Sequence, residues 1–118
     1  MKRDFKLYLK DIIECVNSIE EFIGDLDLDE FIEDDKTNSA VVRKVEVIGE
    51  ASKNIPLEIK KRYPNIDWSD MAKTRDKIIH LYFGVDFKIV WNVVKEKLPQ
   101  LREDIAKILS DLEQQKTK

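Results

Sequence analysis

The sequence is poor in the residues that build metal sites, disulfides and turn-rich folds. Its 118 residues include one cysteine, one histidine, three glycines and three prolines. A lone Cys15 cannot form an internal disulfide, and its helix-spaced apolar position predicts a small core residue, with a reactive thiol as the alternative. A zinc site would lack its ligands, and we expect no metal and no other cofactor.

Long hydrophobic runs are also missing. No apolar stretch approaches the ~20 residues that a helix needs to cross a bilayer. The first residues lead into an amphipathic pattern and do not resemble the apolar core of a signal peptide. We therefore expect a cytoplasmic protein that does not associate with a membrane.

The composition is typical of one soluble helical domain. Charged residues make up 38% of the chain and hydrophobic residues 42%, a balance that fits neither disorder nor a β-rich fold. A chain of this length can bury one modest core. We predict a single domain over residues 1–118, frayed from about residue 114.

Charge is unevenly distributed along the chain. The net charge of −3 argues against a general electrostatic nucleic-acid binder. Residues 25–35 contain seven acids and no base. From residue 36 to residue 77, most of the charged residues are basic. We interpret the acidic stretch as a solvated face, with a contact surface for a cationic partner as the alternative.

Apolar residues at helical spacing predict the first half of the fold. A first helix is expected from about Asp4 to Ile23, ended by Gly24, and the acidic stretch has enough apolar residues for one short helical turn. Thr37 or Asn38 is expected to cap a second long helix that continues to Pro56.

The second half contains a short helix and two longer helical regions. The short helix is predicted over 57–62, between two prolines. Asp67 is expected to cap a helix that runs to about Tyr82 and stops at Gly84. Its predicted buried side consists of Trp68, Met71, Ile78, Ile79 and Phe83.

Asp86 is expected to cap the last helical region, and Pro99 to kink it or restart it. Its inward side is predicted from Phe87, Val90, Trp91 and Val94, then from Leu98, Leu101, Ile105, Ile108 and Leu112. Four main helices joined by short connections predict an all-α fold, an antiparallel up-and-down bundle with short extra helices.

The residues with the most distinctive chemistry lie in one short segment. Arg75 offers a permanent planar cation that suits phosphate, His80 titrates near neutrality, and Tyr82 adds a hydroxyl group. Asp76 is four residues before His80, about 40° away on a helix, and can hold the imidazole in place. Together these groups suit phosphodiester chemistry without a metal.

Helix geometry also sets a difficulty for this site. Arg75 is offset from His80 by about 140° on an ideal helix. The two side chains converge only if the helix end distorts or if a second copy supplies one of them, as a symmetric dimer would. The plain alternative is a core or surface histidine bonded to Asp76, with Arg75 in an ordinary surface ion pair.

The pattern of Arg75, four residues, His80, one residue and Tyr82 resembles the motif of the HEPN superfamily, and specifically its HepT-like branch. The surrounding sequence is also similar: residues 48–51 resemble the second-helix segment of that family, Trp68 precedes the motif, and residues 80–86, 90–91 and 98–99 resemble its continuation. The resemblance covers nearly the whole chain, to about Leu112.

The resemblance implies a HEPN-like helical bundle that acts as a metal-independent endoribonuclease and a homodimer. It implies the toxin of a type VII-like toxin–antitoxin pair, whose antitoxin is a minimal nucleotidyltransferase of the MntA-like kind. Arg75 would stabilise the scissile phosphate, His80 would act as general base or acid, and Asp76 would orient the site. Tyr82 matches the tyrosine to which that antitoxin attaches AMP.

One departure from the family concerns charge. Family members often carry Asn where this chain has Asp76, and a carboxylate there would repel RNA unless it pairs with His80 or Arg75. Lys73 and Lys77 are expected to compensate and to contact RNA.

Two other classes of function stay open at this level. One is a non-catalytic helical subunit that binds the nucleotidyltransferase or a nucleotide. The other is a plain structural helical protein, in which changing Arg75 or His80 would alter neither growth nor partner binding.

Overall fold

The computed structural model describes residues 3–80 and 86–116, with the side chains at 75, 78–80 and 115–116 outside the description. These residues form an all-α bundle of seven α-helices and one π-helical segment. The α-helices are α1 (Phe5–Ile23), α2 (Leu28–Glu33), α3 (Asp35–Lys53), α4 (Leu57–Arg62), α5 (Trp68–His80), α6 (Phe87–Asn92) and α7 (Leu98–Lys116). The π segment, Val93–Lys97, joins α6 to α7.

Both ends of α1 follow from the local sequence. The Asp4 carboxylate accepts a hydrogen bond from the Lys6 amide at 3.0 Å, which satisfies one of the free donors of the first turn. Gly24 adopts a φ of 51°, and its amide donates to the Glu20 carbonyl at 2.9 Å. Both predicted ends of this helix are confirmed to within one residue. Cys15 is buried as predicted, and burial raises the pKa of its thiol.

The start of α3 differs from the prediction. Neither Thr37 nor Asn38 is the cap: Asp34 ends α2 and also caps α3, accepting bonds from the Thr37 amide at 3.0 Å and the Thr37 hydroxyl at 2.9 Å. These two bonds lower the pKa of Asp34. Asn38 is buried and donates to the carbonyls of Phe31 and Ile32. The connection is so short that α2 and α3 share one capping residue.

The end of α3 also differs from the prediction, which continued the helix to Pro56. The helix stops at Lys53, three residues before Pro56, and Asn54 forms its C-cap. Proline disfavours helical geometry in the residue before it, so the helix ends upstream of residue 55. The short helix α4 occupies the range predicted for it, and Ile59 is its buried residue.

The last helical region is continuous from α6 to α7, and Pro99 produces a change of helix type instead of a restart. Asp86 caps α6 as predicted, with its carboxylate 3.0 Å from the Lys88 amide. Within the π segment the Leu98 amide donates to the Val93 carbonyl, five residues back. A proline ring crowds the carbonyl four residues before it, and the wider π turn relieves that contact.

The core lies between α1, α3 and α7. Helix α3 packs against α1 on one side and α5 on the other, and α1 also contacts α7. The bundle measures 51 × 29 × 29 Å. The side chains with no exposed surface include Leu9, Ile12, Val16, Ile19, Val41, Val45, Ile48, Ile105 and Ile108. No helix in the described ranges is long and apolar enough to cross a membrane.

Candidate functional site on helix α5

Helix α5 begins where the sequence predicts. The Asp67 carboxylate accepts bonds from the Ser69 hydroxyl at 2.9 Å and the Asp70 amide at 3.1 Å. These bonds lower the pKa of Asp67, the Ser69 hydroxyl having the largest effect. The indole of Trp68 donates to the Tyr63 carbonyl at 3.2 Å. The first turn of the helix is therefore fixed by polar contacts before the motif begins.

The helix continues through residue 80, so the backbone of residues 75, 76 and 80 lies on one regular helix. The angular offsets of about 140° and about 40° therefore apply to this chain. The side chains of Arg75 and His80 lie outside the described residues, as do Tyr82, Phe83 and Gly84 and the side chains of Ile78 and Ile79. The roles expected of these residues stay predictions.

One face of α5 is buried and the opposite face is exposed. Met71 and Thr74 are buried, and the Thr74 hydroxyl donates to the Asp70 carbonyl at 2.8 Å. Lys73 and Lys77 are exposed. Lys73 is two turns before residue 80, about 20° from it around the helix axis. The two predicted RNA-contacting lysines thus share a helix face with the backbone position of His80.

Asp76 has a partner that the sequence did not suggest. The Lys53 ammonium, at the end of α3, lies 3.7 Å from Oδ1 of Asp76. The two side chains are 41% and 49% exposed, so solvent weakens their attraction. The sequence prediction had Asp76 pairing with His80 or Arg75. Lys53 is far away along the chain, and only the packing of α3 on α5 reveals it.

A groove runs between α5 and the α6–π region, with a volume of about 570 Å³. We call it the α5–α6 groove. One wall is formed by α5, and the other by α6 and the π segment. Its lining consists of Asp70, Lys73, Thr74, Asp76, Lys77, Ile89, Val93 and Lys97. Both predicted RNA-contacting lysines line the groove, together with Asp76.

Lys97 lines the groove and was also missed by sequence reasoning. Its ammonium lies 2.8 Å from Oδ2 and 3.1 Å from Oδ1 of Asp70, so one lysine binds both carboxylate oxygens. No local pattern predicts this contact between residues 27 positions apart. Within the described residues, no group of three His, Cys, Asp or Glu side chains is placed to hold a metal ion.

The groove therefore combines cations with a helix that carries an arginine and a histidine. Lysine and arginine attract phosphate oxygens, and histidine can transfer a proton near neutral pH. This set of groups suits the binding of a phosphodiester and acid–base chemistry on it.

Comparison with known families identifies the class of protein. A family model described as ribonuclease HepT-like matches residues 12–108 of this chain. The match covers most of the chain, including the whole segment from Arg75 to Tyr82. The chain belongs to this HepT-like ribonuclease family, as the sequence resemblance predicted.

Individual relatives are similar over nearly their full length. "Probable ribonuclease HepT" from Thermococcus cleftensis is 49% identical over 108 residues, which cover 92% of this chain and 98% of that protein. "Putative RNase MJ0127" from Methanocaldococcus jannaschii is 44% identical over 112 residues, 95% of this chain and 93% of that protein. "Putative RNase TTE0752" from Caldanaerobacter subterraneus subsp. tengcongensis is 34% identical over 102 residues, covering 86% and 91%. No solved structure gave a significant match.

Proposed function

We propose that this protein is a metal-independent endoribonuclease whose catalytic residues are Arg75 and His80. The observation that carries the proposal is the family match, which spans the motif and is to ribonucleases. The helical backbone of α5 and its exposed lysines support it, because they place cations on the same helix face as residue 80.

The proposed reaction uses the RNA 2′-hydroxyl as the nucleophile. His80 accepts the proton of that hydroxyl while the oxygen attacks the adjacent phosphorus. The bond from phosphorus to the 5′-oxygen breaks, leaving a cyclic phosphate on one product and a 5′-hydroxyl on the other. The leaving oxygen takes up a proton from a second acid. Arg75 stabilises the charge that accumulates on the phosphoryl oxygens, and Asp76 orients the site.

A homodimer supplies what one chain lacks. The chain has a single histidine, so the acid that protonates the leaving oxygen is not a second histidine of the same copy, and each proposed site uses one His80. The offset of about 140° between residues 75 and 80 also favours a site to which each copy contributes one group. We propose that two α5 helices face each other across one RNA-binding cleft.

Lys73 and Lys77 are the proposed contacts to the RNA backbone. Both are exposed, both line the α5–α6 groove, and neither forms an ion pair with another described residue. An ammonium group in this position can approach phosphate oxygens without first leaving a carboxylate.

Tyr82 is the proposed control point. In this proposal the protein is the toxin of a type VII-like toxin–antitoxin pair, and a minimal nucleotidyltransferase partner attaches AMP to the Tyr82 hydroxyl. The added phosphate brings negative charge and bulk next to the cleft, which would repel RNA. A Tyr82→Phe variant should keep its cleavage activity and lose its sensitivity to the partner and ATP.

Cleavage of a defined RNA in EDTA tests the enzymatic part of the proposal. Wild-type protein and His80→Ala are compared after mass spectrometry has shown that neither carries AMP and gel filtration has shown equal dimers. Cleavage by wild type alone, with cyclic-phosphate ends, is the expected result. If neither protein cleaves any of several RNAs but both bind the nucleotidyltransferase, the protein is a non-catalytic partner subunit instead.

A further inference from the structure

The two carboxylates that line the α5–α6 groove are both paired with a lysine from another element. Asp70 binds Lys97 of the π segment, and Asp76 lies against Lys53 of α3. The two lysines approach α5 from different elements, since one follows α6 and the other ends α3. The acids of the motif helix are thus matched by cations that are not on that helix.

This pairing changes the charge that the groove offers to a ligand. The lining contains three lysines and two aspartates. Because Lys97 and Lys53 offset the two aspartates, the charges of Lys73 and Lys77 remain for a ligand. Without the two pairs, the negative charges of the carboxylates would offset the positive charges of these lysines in the groove.

We propose that Lys97 and Lys53 are positioning residues for RNA binding, which act by neutralising Asp70 and Asp76. The inference rests on the proposed function, since it takes the sugar–phosphate backbone of RNA as the ligand of the groove. It explains how a protein with a net charge of −3 presents a cationic surface at one place. In this proposal Lys97 does not bind phosphate itself, and it acts by cancelling the charge of Asp70.

Lys97 is the last residue of the π segment, and its ammonium reaches Asp70 of α5. Lys95, two residues earlier in the same segment, points elsewhere: its ammonium lies 4.8 Å from the centre of the Trp91 ring. Lys95 lines a separate depression with Glu20 and Ile23. The chain therefore provides a matched control, since Lys95→Met and Lys97→Met remove the same charge from the same segment.

The test is the affinity of the protein for a non-cleavable RNA, in which every 2′-hydroxyl is methylated. Fluorescence anisotropy is measured at low salt for wild type, Lys97→Met, Lys95→Met, Asp70→Asn and the double variant Asp70→Asn/Lys97→Met. We expect Lys97→Met to weaken binding about three- to ten-fold and Lys95→Met to change it less than two-fold, about the effect of a remote surface charge. Lys97→Arg should restore binding.

The double variant separates neutralisation from direct contact. If Lys97 acts by cancelling the charge of Asp70, the pair is neutral both in wild type and in the double variant, so the double variant should bind RNA as tightly as wild type, and Asp70→Asn more tightly. A double variant that binds as weakly as Lys97→Met would mean that Lys97 contacts RNA itself, and would overturn the proposal. Thermal unfolding of each variant shows whether a change in affinity reflects a change in folding. Lys53→Met with Asp76→Asn repeats the cycle for the second pair.

The outcomes also distinguish this inference from the proposed function. If wild type cleaves and binds RNA while Lys97→Met binds it as tightly as Lys95→Met does, the neutralising role is wrong and the ribonuclease proposal stands. If wild type neither binds nor cleaves RNA, the proposed function fails, and the inference fails with it.

Discussion

The α1–α3 side of the bundle and the α5–π side are stabilised by different interactions. On α1 and α3, most inward positions are aliphatic and fully buried, as at Ile12, Val16, Val45 and Ile48, although α3 also buries the polar Asn38 and Ser52. Among the described side chains of α5, the buried ones are Met71 and the polar Thr74, and its two aspartates pair with lysines of other elements. Apolar burial fixes the first side, whereas charge arrangement distinguishes the second.

This difference predicts that substitutions on the two sides will affect different properties, stability on one side and activity on the other. Substitutions on the α1–α3 side should lower the free energy of unfolding and leave the activity of each folded molecule intact. Substitutions on the exposed face of α5 should lower activity and leave the free energy of unfolding almost unchanged, because surface side chains contribute little to stability.

The largest expected effect belongs to the α5 side. His80→Ala should reduce RNA cleavage by about 10²- to 10⁴-fold, the usual contribution of a general acid or base. Its thermal unfolding should match that of wild type. Cleavage is measured on a defined RNA in EDTA, and wild-type rates from the variant would remove His80 from the mechanism.

The largest effect on stability is expected on the α1–α3 side. Ile12 is 0% exposed, and Ile12→Ala should cost about 2–5 kcal/mol of unfolding free energy through lost burial and a cavity. Leu7, on the same helix and 41% exposed, is the matched control: Leu7→Ala should change stability by about 0.5 kcal/mol or less. Urea unfolding checks both. Equal losses from the two variants would contradict the assignment of the buried face.

A smaller effect is expected where the chain turns after α1. Gly24 has a φ of 51° and a ψ of −122°, a conformation that costs a residue with a Cβ atom about 1–3 kcal/mol. Gly24→Ala should therefore lower stability by about that amount, and Gly24→Asn by less, since Asn tolerates this conformation better. Chemical denaturation of wild type and the two variants gives their order of stability. An alanine variant more stable than the asparagine variant would contradict this prediction.

The smallest effect concerns pH and involves one cap from each side. Asp34 and Asp67 have lowered pKa values in the folded protein because each carboxylate accepts hydrogen bonds. A lowered pKa stabilises the protein above the ordinary carboxyl pKa, and that stabilisation is lost as pH falls through the folded value. Asp34→Ala and Asp67→Ala should each flatten the acid limb of the stability curve. Urea unfolding at a series of acidic pH values tests this. Variants whose free energy of unfolding falls with pH as steeply as that of wild type would contradict it.

Local signals in the sequence predicted much of the fold. Asp4 and Gly24 at the ends of α1, the range of α4, and the caps Asp67 and Asp86 all depend on residues within a turn of one another. Such contacts satisfy free backbone groups at helix ends with residues that are close in the sequence, so local sequence signals predict them.

Contacts between elements could not be predicted in the same way. The Asp34 cap depends on how closely α2 approaches α3, and the π segment on how the chain accommodates Pro99. The partners of Asp70 and Asp76 lie 27 and 23 residues away along the chain. A sequence pattern identifies the charged residues of α5, but only packing decides which lysines meet them.

Mixing two inactive variants tests most directly whether two copies of α5 form one ribonuclease site. Arg75→Ala and His80→Ala are each assayed alone, then unfolded together and refolded so that mixed dimers form. If each site takes Arg75 from one copy and His80 from the other, every mixed dimer keeps one intact site, and about a quarter of wild-type cleavage should return. No recovered cleavage, in a sample shown by native mass spectrometry to contain mixed dimers, would contradict a site shared between copies.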